Sequence, residues 1–447
     1  MELSSLQQKR GMIDGMIIVG IDPAKAKHQA MVIDPIGSQL GKTFPFDVSH
    51  EGYTNTLWHK LRQIVPNCNP QSVVFAVETS CNLWLTLCAY LDREGYRVLL
   101  VSPLTTHHAR PMLNHDFSRT DPKDALIVAS NAQHGYFDLY STHPSLHGAM
   151  HRLSITYDKL RKEYAQNRGR LRALVEQIFP EFLTLVEPDT HTAMYLLKRY
   201  LFPQDFLSLN VAKKAEAIAT ISRNQYGLNT LLQLQRAAHH SIGVPKNKEE
   251  CTAERISLTC WIALIETIAT QVDQVLAELI RCAEQLPEYH ILLSLKGISC
   301  TTAALFLAEL QNIHRFGHFK QIEKKAGLNL RLSQSGQFVG TRHISHLGDN
   351  RLRWLLYSMT EETARWIPEV RIKYLHRQLK SRKHRKSIIA STPQLLKLIM
   401  ALVKENRLYE SRPETLAEMK ALEQQYTELK EKQKKAKRQV LSPGRAA

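Results

Sequence analysis

The sequence predicts a mixed α/β domain at its N-terminal end, followed by largely α-helical middle and C-terminal domains. Three features carry that prediction. Short apolar runs alternate with segments of helical spacing over residues 1–145. From about 146 onward the helical period dominates, and Gly-rich interruptions are confined to 327–348. Hydrophobic residues make up 43% of the 447, enough to build real cores.

Taken in order, GMIIVGI at 15–21 is a short apolar run ending at Asp22, and HQAMVID at 28–34 resumes strand character. The intervening DPAKAK is a turn, so the two strands form a hairpin. KTFPFDV at 42–48 is a weaker third strand whose Pro45 suits a sheet edge. A helix follows over about 50–65, then the strand SVVFAVE at 72–78. NLWLTLCAYLDREG repeats apolar residues at helical spacing and stops at Gly95. YRVLLVS at 96–102 is another buried strand, and a helix begins near Asp121. The order βββαβαβα describes one mixed sheet with helices packed on it, and it fits an RNase H-like domain. Residues 146–286 form a helical insert whose long segments, 151–179 and 253–286, suit either packing within the chain or a coiled-coil seam between chains. A third region spans 287–405; a charged helix and basic tail fill 406–447, and the closing LSPGRAA reads as disordered.

Charge narrows the function classes. Lys and Arg number 59 against 42 Asp and Glu, a formal net charge of +17, so a polyanion such as nucleic acid is the natural partner. No uninterrupted apolar run approaches the roughly 18 residues of a membrane span. The first residues lack the order of a secretory signal, and seven cysteines without a CxxC pair read as reduced thiols in a cytoplasm. Neither a P-loop nor a dinucleotide fingerprint is present.

Four acids stand out. Asp22 and Glu78 close apolar strands, where a carboxylate is costly unless it has a partner or a task. Asp121 and Asp124 sit three apart at a helix start and share one face. Singly, each is most simply a cap or a surface acid. Together they offer hard oxygen ligands suited to Mg²⁺ or Mn²⁺, which polarise a phosphodiester and neutralise a leaving oxygen.

The segments GIDPAKAKH, AVETSCNLW and SRTDPKDALIVA resemble the three blocks of the DEDD-type insertion-sequence transposases, the insertion-sequence 110 family, with the related pilin-gene inverting recombinases. The resemblance implies that the first domain is RuvC-like and places the family's metal-binding acids on Asp22, Glu78, Asp121 and Asp124. A second block, FGHFKQIEKKAGLNLRLSQSGQFVGTRHISHLGDNRLRWLLY, is similar to the family's other conserved region and puts its nucleophilic serine on Ser335, followed by Gly336. The match departs from the pattern at Leu330, Gln337 and Phe338, and Ser333 is a rival nucleophile two residues away. The resemblance further implies a bridge RNA that pairs with donor and target DNA and a bacterial or archaeal host cell. The long helical insert between the two catalytic parts suggests a complete site assembled between subunits, and the several cuts of strand exchange suit a homodimer or tetramer.

Other residues suit contact with nucleic acid. LLSLKGISCTTAALFLAELQN at 292–312 reads equally as a helix-hairpin-helix, with Gly297 in a phosphate-holding turn, or as an ordinary turn between helices. Arg342, Arg351 and Arg353 are candidates to neutralise phosphates beside Ser335. In VRIKYLHRQLKSRKHRKSIIA, Arg382, Lys383, Arg385 and Lys386 belong to a run with no acid, and Tyr374 is placed to stack on a base. Two rival functions remain: a metal-dependent nuclease or junction resolvase using water, and a nucleic-acid-binding protein without catalysis.

Overall fold

The computed structural model describes residues 2–80, 82–114, 121–140, 146–188, 190–331, 334–335, 338–339 and 343–440. The chain divides into two compact units, Met1–His143 and Pro144–Ala447.

The first unit begins with α1 (Glu2–Gly11), then β1 (Ile17–Asp22), β2 (Lys27–Ile33) and β3 (Phe44–Asp47). A wide helical turn at Gly52–Thr56 runs into α2 (Leu57–Ile64). β4 (Val73–Glu78), α3 (Leu85–Arg93), β5 (Arg97–Val101), α4 (Pro103–Asn114), α5 (Asp121–Gln133) and the two-residue β6 (Asp138–Leu139) complete it. The six strands lie in the order β3-β2-β1-β4-β5-β6. β1 pairs antiparallel with β2 and parallel with β4, and β5 continues the parallel half. The expected hairpin and mixed sheet are both present, and β3 with Pro45 is an edge strand that pairs with β2. Helices α1 and α4 and strand β6 were not expected. The α4 sequence carries Pro111 in its interior and β6 is too short for a period to show.

Alternation along the strands sorts their side chains onto two faces. Val19, Ile21, Phe75 and Val77 share a core with Leu57 and Leu61 of α2 and Leu87 and Leu91 of α3. Ile18, Val74, Ala76 and Leu99 face the other way, against Ala125, Val128, Ala129 and Ala132 of α5. β4 is buried along its whole length, which is why SVVFAVE reads as a continuous apolar run. Gly20 lets α5 come down onto β1. A Cβ there would stand 2.3 Å from the Ala125 carbonyl oxygen and 2.6 Å from the Ala129 Cβ.

The second unit is helical apart from one small β region. α6 (Leu146–Ile178) and α12 (Lys248–Ala283) are long helices that pack on one another within the chain. Five short helices, α7–α11, lie between them over 182–239 and close a separate core around Phe179, Phe182, Phe206 and Ile262. Asn247 caps α12 in a capping box with Glu250, ending the loop expected near 243–250. Next come α13 (Pro287–Leu293), α14 (Cys300–Leu310) and α15 (Phe319–Lys325). The Gly-rich stretch is a β-hairpin: β7 (Leu330–Arg331) pairs with β10 (His343–Ile344), and β8 (Gln334–Ser335) with β9 (Phe338–Val339). α16 (Asn350–Thr363), α17 (Pro368–Leu379), α18 (His384–Glu405) and α19 (Pro413–Val440) follow. The segment LSPGRAA lies outside the described residues. By length and composition α12 and α18 could each cross a membrane, although neither holds an uninterrupted apolar run. α18 puts Leu395, Leu396, Ile399 and Leu402 into the main core of this unit.

Candidate active site

Asp22 and Glu78 end adjacent parallel strands, one step beyond the Ile21–Val77 pair, so their backbones lie about 5 Å apart. Side-chain parity decides where they point. Asp22 follows Ile18 and Gly20, and Glu78 follows Val74 and Ala76, so both project from the face that α5 covers. On α5, Asp124 immediately precedes Ala125, whose carbonyl packs over Gly20. Asp124 and Glu78 are each 7% exposed. The close approach at Gly20 therefore carries Asp124 to the strand ends. Asp121 is the first residue of α5, one turn before Asp124; its side chain lies outside the described part.

The positive charge in this region is Arg110 of α4, and nothing in the sequence singled it out. Its Nε donates to Asp124 Oδ1 at 2.8 Å and its Nη2 to Oδ2 at 3.0 Å, a two-pronged pair with both side chains about 10% exposed. These hydrogen bonds hold the guanidinium above its ordinary pKa; burial works against them, and the charges of Asp124, Glu78 and Asp22 add to the rise. Arg110 thus lies in the field of all three acids. No three His, Cys, Asp or Glu side chains among the described residues are grouped to hold a metal ion. The donor chemistry nonetheless fits one, because carboxylates are hard oxygen ligands and the charges of Asp124, Glu78 and Asp22 all act on the same guanidinium.

The turn after Asp22 is held by a hydrogen-bonded chain. Ala24 N–H donates to His28 Nδ1 at 3.2 Å, which leaves the proton on Nε2 to be donated to the Tyr53 hydroxyl at 2.9 Å. Tyr53 and Thr86 share a hydrogen bond of 3.2 Å, so the chain runs from the end of β1 to α3, the helix that follows β4. His28 is fully buried, and that burial pushes its pKa down to about 4.

In the second unit, Ser335 pairs with Phe338 in the antiparallel hairpin pair of β8 and β9. Its side chain lies outside the described part, as do Gly336, Arg342 and Ser333 entirely. The base of this hairpin is clamped. His346 N–H donates to Gly327 O at 3.1 Å, Asp349 N–H to Lys325 O at 2.7 Å, and Arg353 Nη1 to Ala326 O at 2.8 Å. Arg353 thus anchors the segment that leads into the hairpin. Arg351 gives its Nη2 to the Ser154 hydroxyl at 2.7 Å and to Glu309 at 3.1 Å, and Glu309 is 2% exposed. Both arginines are tied into the protein fabric. Lys325 Nζ donates to Glu309 O at 3.0 Å. Burial, helped by the charge of Arg315, pushes its pKa down to about 8, against Asp349 and Glu309.

Gly297 takes φ +105° in the exposed turn between α13 and α14, where a Cβ would come within 3.0 Å of the Glu362 carbonyl. Ser299 caps α14 through Thr302 N–H. Arg382, Lys383, Arg385 and Lys386 are all exposed at the α17–α18 turn. The stretch has no acid of its own, but the expectation that its charge is uncompensated is corrected by the fold. Arg371 pairs with Glu423 of α19 at 3.0 Å, and His376 lies 3.8 Å from Glu418. Tyr374 is 7% exposed and bonded to His384 at 2.9 Å, so it is no stacking platform. The stretch's opposing acids come from other helices, Glu423 and Glu418 of α19 and Glu361 of α16, which lies 2.8 Å from His384.

Residues 19–180 match the DEDD transposase family of IS110 type, described as "Transposase", and residues 289–375 match the "Transposase IS116/IS110/IS902 family". The chain belongs to the IS110 family of transposases. It is therefore an enzyme of DNA cleavage and strand transfer. A solved structure, T. thermophilus RuvC in complex with Holliday junction substrate, is similar over 28% of this transposase and 99% of its own chain, at 15% identity and a TM-score of 0.21. No curated protein matches the transposase.

Proposed function

We propose that this transposase cuts and rejoins DNA through a covalent link to Ser335, assisted by a divalent cation at the acidic cluster. The observation that carries the reading is that Asp22 and Glu78 stand at the carboxyl ends of adjacent strands, and that their charges, with that of Asp124, all act on Arg110. With its strand order and acids so placed, we read the first unit as an RNase H-like, RuvC-like domain. Asp22, Glu78 and Asp124, with Asp121, would hold Mg²⁺ or Mn²⁺. Such an ion supplies Lewis-acid polarisation of the scissile phosphate and neutralises charge that develops there.

The serine hydroxyl attacks phosphorus, forms the Oγ–P bond and breaks the bond to the 3′ oxygen, which leaves with a proton as a 3′-OH. A phosphoserine link conserves the energy of the broken diester for rejoining. The clamp from Asp349 and Arg353 holds the hairpin that presents Ser335, and fixed positioning of a nucleophile is a large part of such a rate. Gly336 admits the backbone close to DNA, and Arg342 completes the positive side of the site. The exposed Arg382, Lys383, Arg385 and Lys386 and the Gly297 turn bind phosphates along DNA or a structured guide RNA. Strand exchange needs several cuts, so a dimer or tetramer is the working unit, in the cytoplasm among nucleoid DNA.

A denaturing gel tests this. Protein expressed with its flanking DNA, and any RNA that co-purifies, is mixed with labelled junction DNA and Mg²⁺. A protein–DNA band that survives Ser333→Ala and vanishes in both Ser335→Ala and Asp22→Asn is the expected result. Cleaved DNA without such a band, unchanged by Ser335→Ala, would replace the serine pathway with hydrolysis by water.

A further inference from the structure

The acidic cluster carries its own cation. Arg110 is 8% exposed, reaches Asp124 with two nitrogens, and lies in the field of Glu78 and Asp22 as well. A guanidinium spread across both carboxylate oxygens takes up the lone pairs a metal ion would need from that residue. The pair is also nearly dry. A carboxylate so deeply buried cannot be left without a positive partner, and a guanidinium so deeply buried cannot be left without a negative one. Two cations therefore compete for one carboxylate.

We propose that Arg110 is the resident counter-ion of the metal-free site, and that it leaves Asp124 when a divalent cation enters, so that metal uptake and Arg110 release are a single exchange. This rests on the reading of the acids as a metal site. It goes further by making the affinity of that site depend on a residue that is not itself a ligand. The exchange weakens metal binding by the free energy of the Arg110–Asp124 pair, which offsets part of the acids' charge while no metal is present. The elements suit such a movement. Arg110 stands on α4 beside Pro111, which lies inside that helix and removes one of its backbone hydrogen bonds, whereas Asp124 stands on α5, which packs closely over Gly20. The arginine is the partner that can swing.

The test is calorimetric titration of Mn²⁺ into the full-length protein without DNA, for wild type, Arg110→Gln, Arg110→Lys and Asp22→Asn. Thermal unfolding is followed with and without Mn²⁺. Folded Arg110→Gln is expected to bind Mn²⁺ roughly tenfold or more tightly than wild type, since it no longer has a competitor to displace. Without metal it should melt lower than wild type, and Mn²⁺ should recover most of that loss. Arg110→Lys keeps the charge and loses the two-nitrogen grip, so it is expected to bind more tightly than wild type too, and it serves if Arg110→Gln does not fold. Mn²⁺ affinity in either folded variant equal to or weaker than wild type overturns the exchange, as does a melting loss that Mn²⁺ leaves untouched. If the wild type binds no Mn²⁺, or binds it equally well after Asp22→Asn, the metal reading itself fails, and the exchange falls with it.

Discussion

A neutral, fully buried histidine is a liability in acid, and His28 ties the turn after Asp22 to the helix after Glu78. With its folded pKa at about 4, below the ordinary 6.5, it favours the folded state fully above pH 6.5. That contribution is lost as pH falls from 6.5 towards 4, by an amount on the order of 2–3 kcal/mol. Melting curves at pH 7 and pH 5 should therefore show an acid-induced drop that is smaller in His28→Gln, which keeps hydrogen-bonding capacity without a charge to gain. An equal drop in both proteins would move the acid sensitivity to other groups. The same scale shows what a list of charged residues conceals. Arg351 and Arg353 looked like phosphate ligands because they follow the serine block, yet their guanidinium groups are committed to Ser154, Glu309 and Ala326. Arg110, which carried no signal at all, sits among the acids.

Two elements carry the residues of the proposed site. α5 reaches the strand ends because small residues meet at its interface with β1: Gly20 below, Ala125 and Ala129 above. Gly20→Val should force the helix off the sheet, costing about 1–3 kcal/mol of stability. It should also lower DNA cleavage by about a hundredfold through displacement of Asp124. A variant that loses stability while keeping the wild-type cleavage rate would show that Asp124 need not stand where it does. The second element is the pairing of β7 with β10 and of β8 with β9, a β structure inside a helical unit. Its Gly- and Ser-rich sequence marked a break in the helices. Its pairing, with Ser335 opposite Phe338, depends on ladder contacts that no local period announces.

At the level of the whole molecule, a net charge of +17 becomes functional only where it is exposed and unpaired by neighbours. The α17–α18 turn meets the first condition with Arg382, Lys383, Arg385 and Lys386, whereas Arg371 is answered by Glu423 of α19. Changing those four to Gln should lower the slope of log binding constant against log salt by about three, for DNA or for a co-purified RNA. An unchanged slope would assign the phosphate contacts to other surfaces. What the sequence by itself determined was the principal strands, the helix α5 and the acids at their ends. Strand and helix periods, a turn-forming DPAKAK and an all-apolar SVVFAVE are local properties, so β1, β2, β4, β5 and α5 could be read directly, and with them Asp22, Glu78, Asp121 and Asp124. The blocks around these acids and Ser335 also carried the family. Tertiary structure alone decided which charges meet. Side-chain parity and the Gly20 contact set the acids towards the face that α5 covers, α4 delivers Arg110 to Asp124, and α19 supplies the acid that answers Arg371. The reason is physical: an ion pair depends on distance in space, and fourteen or fifty residues of intervening chain leave no trace of it in a local pattern.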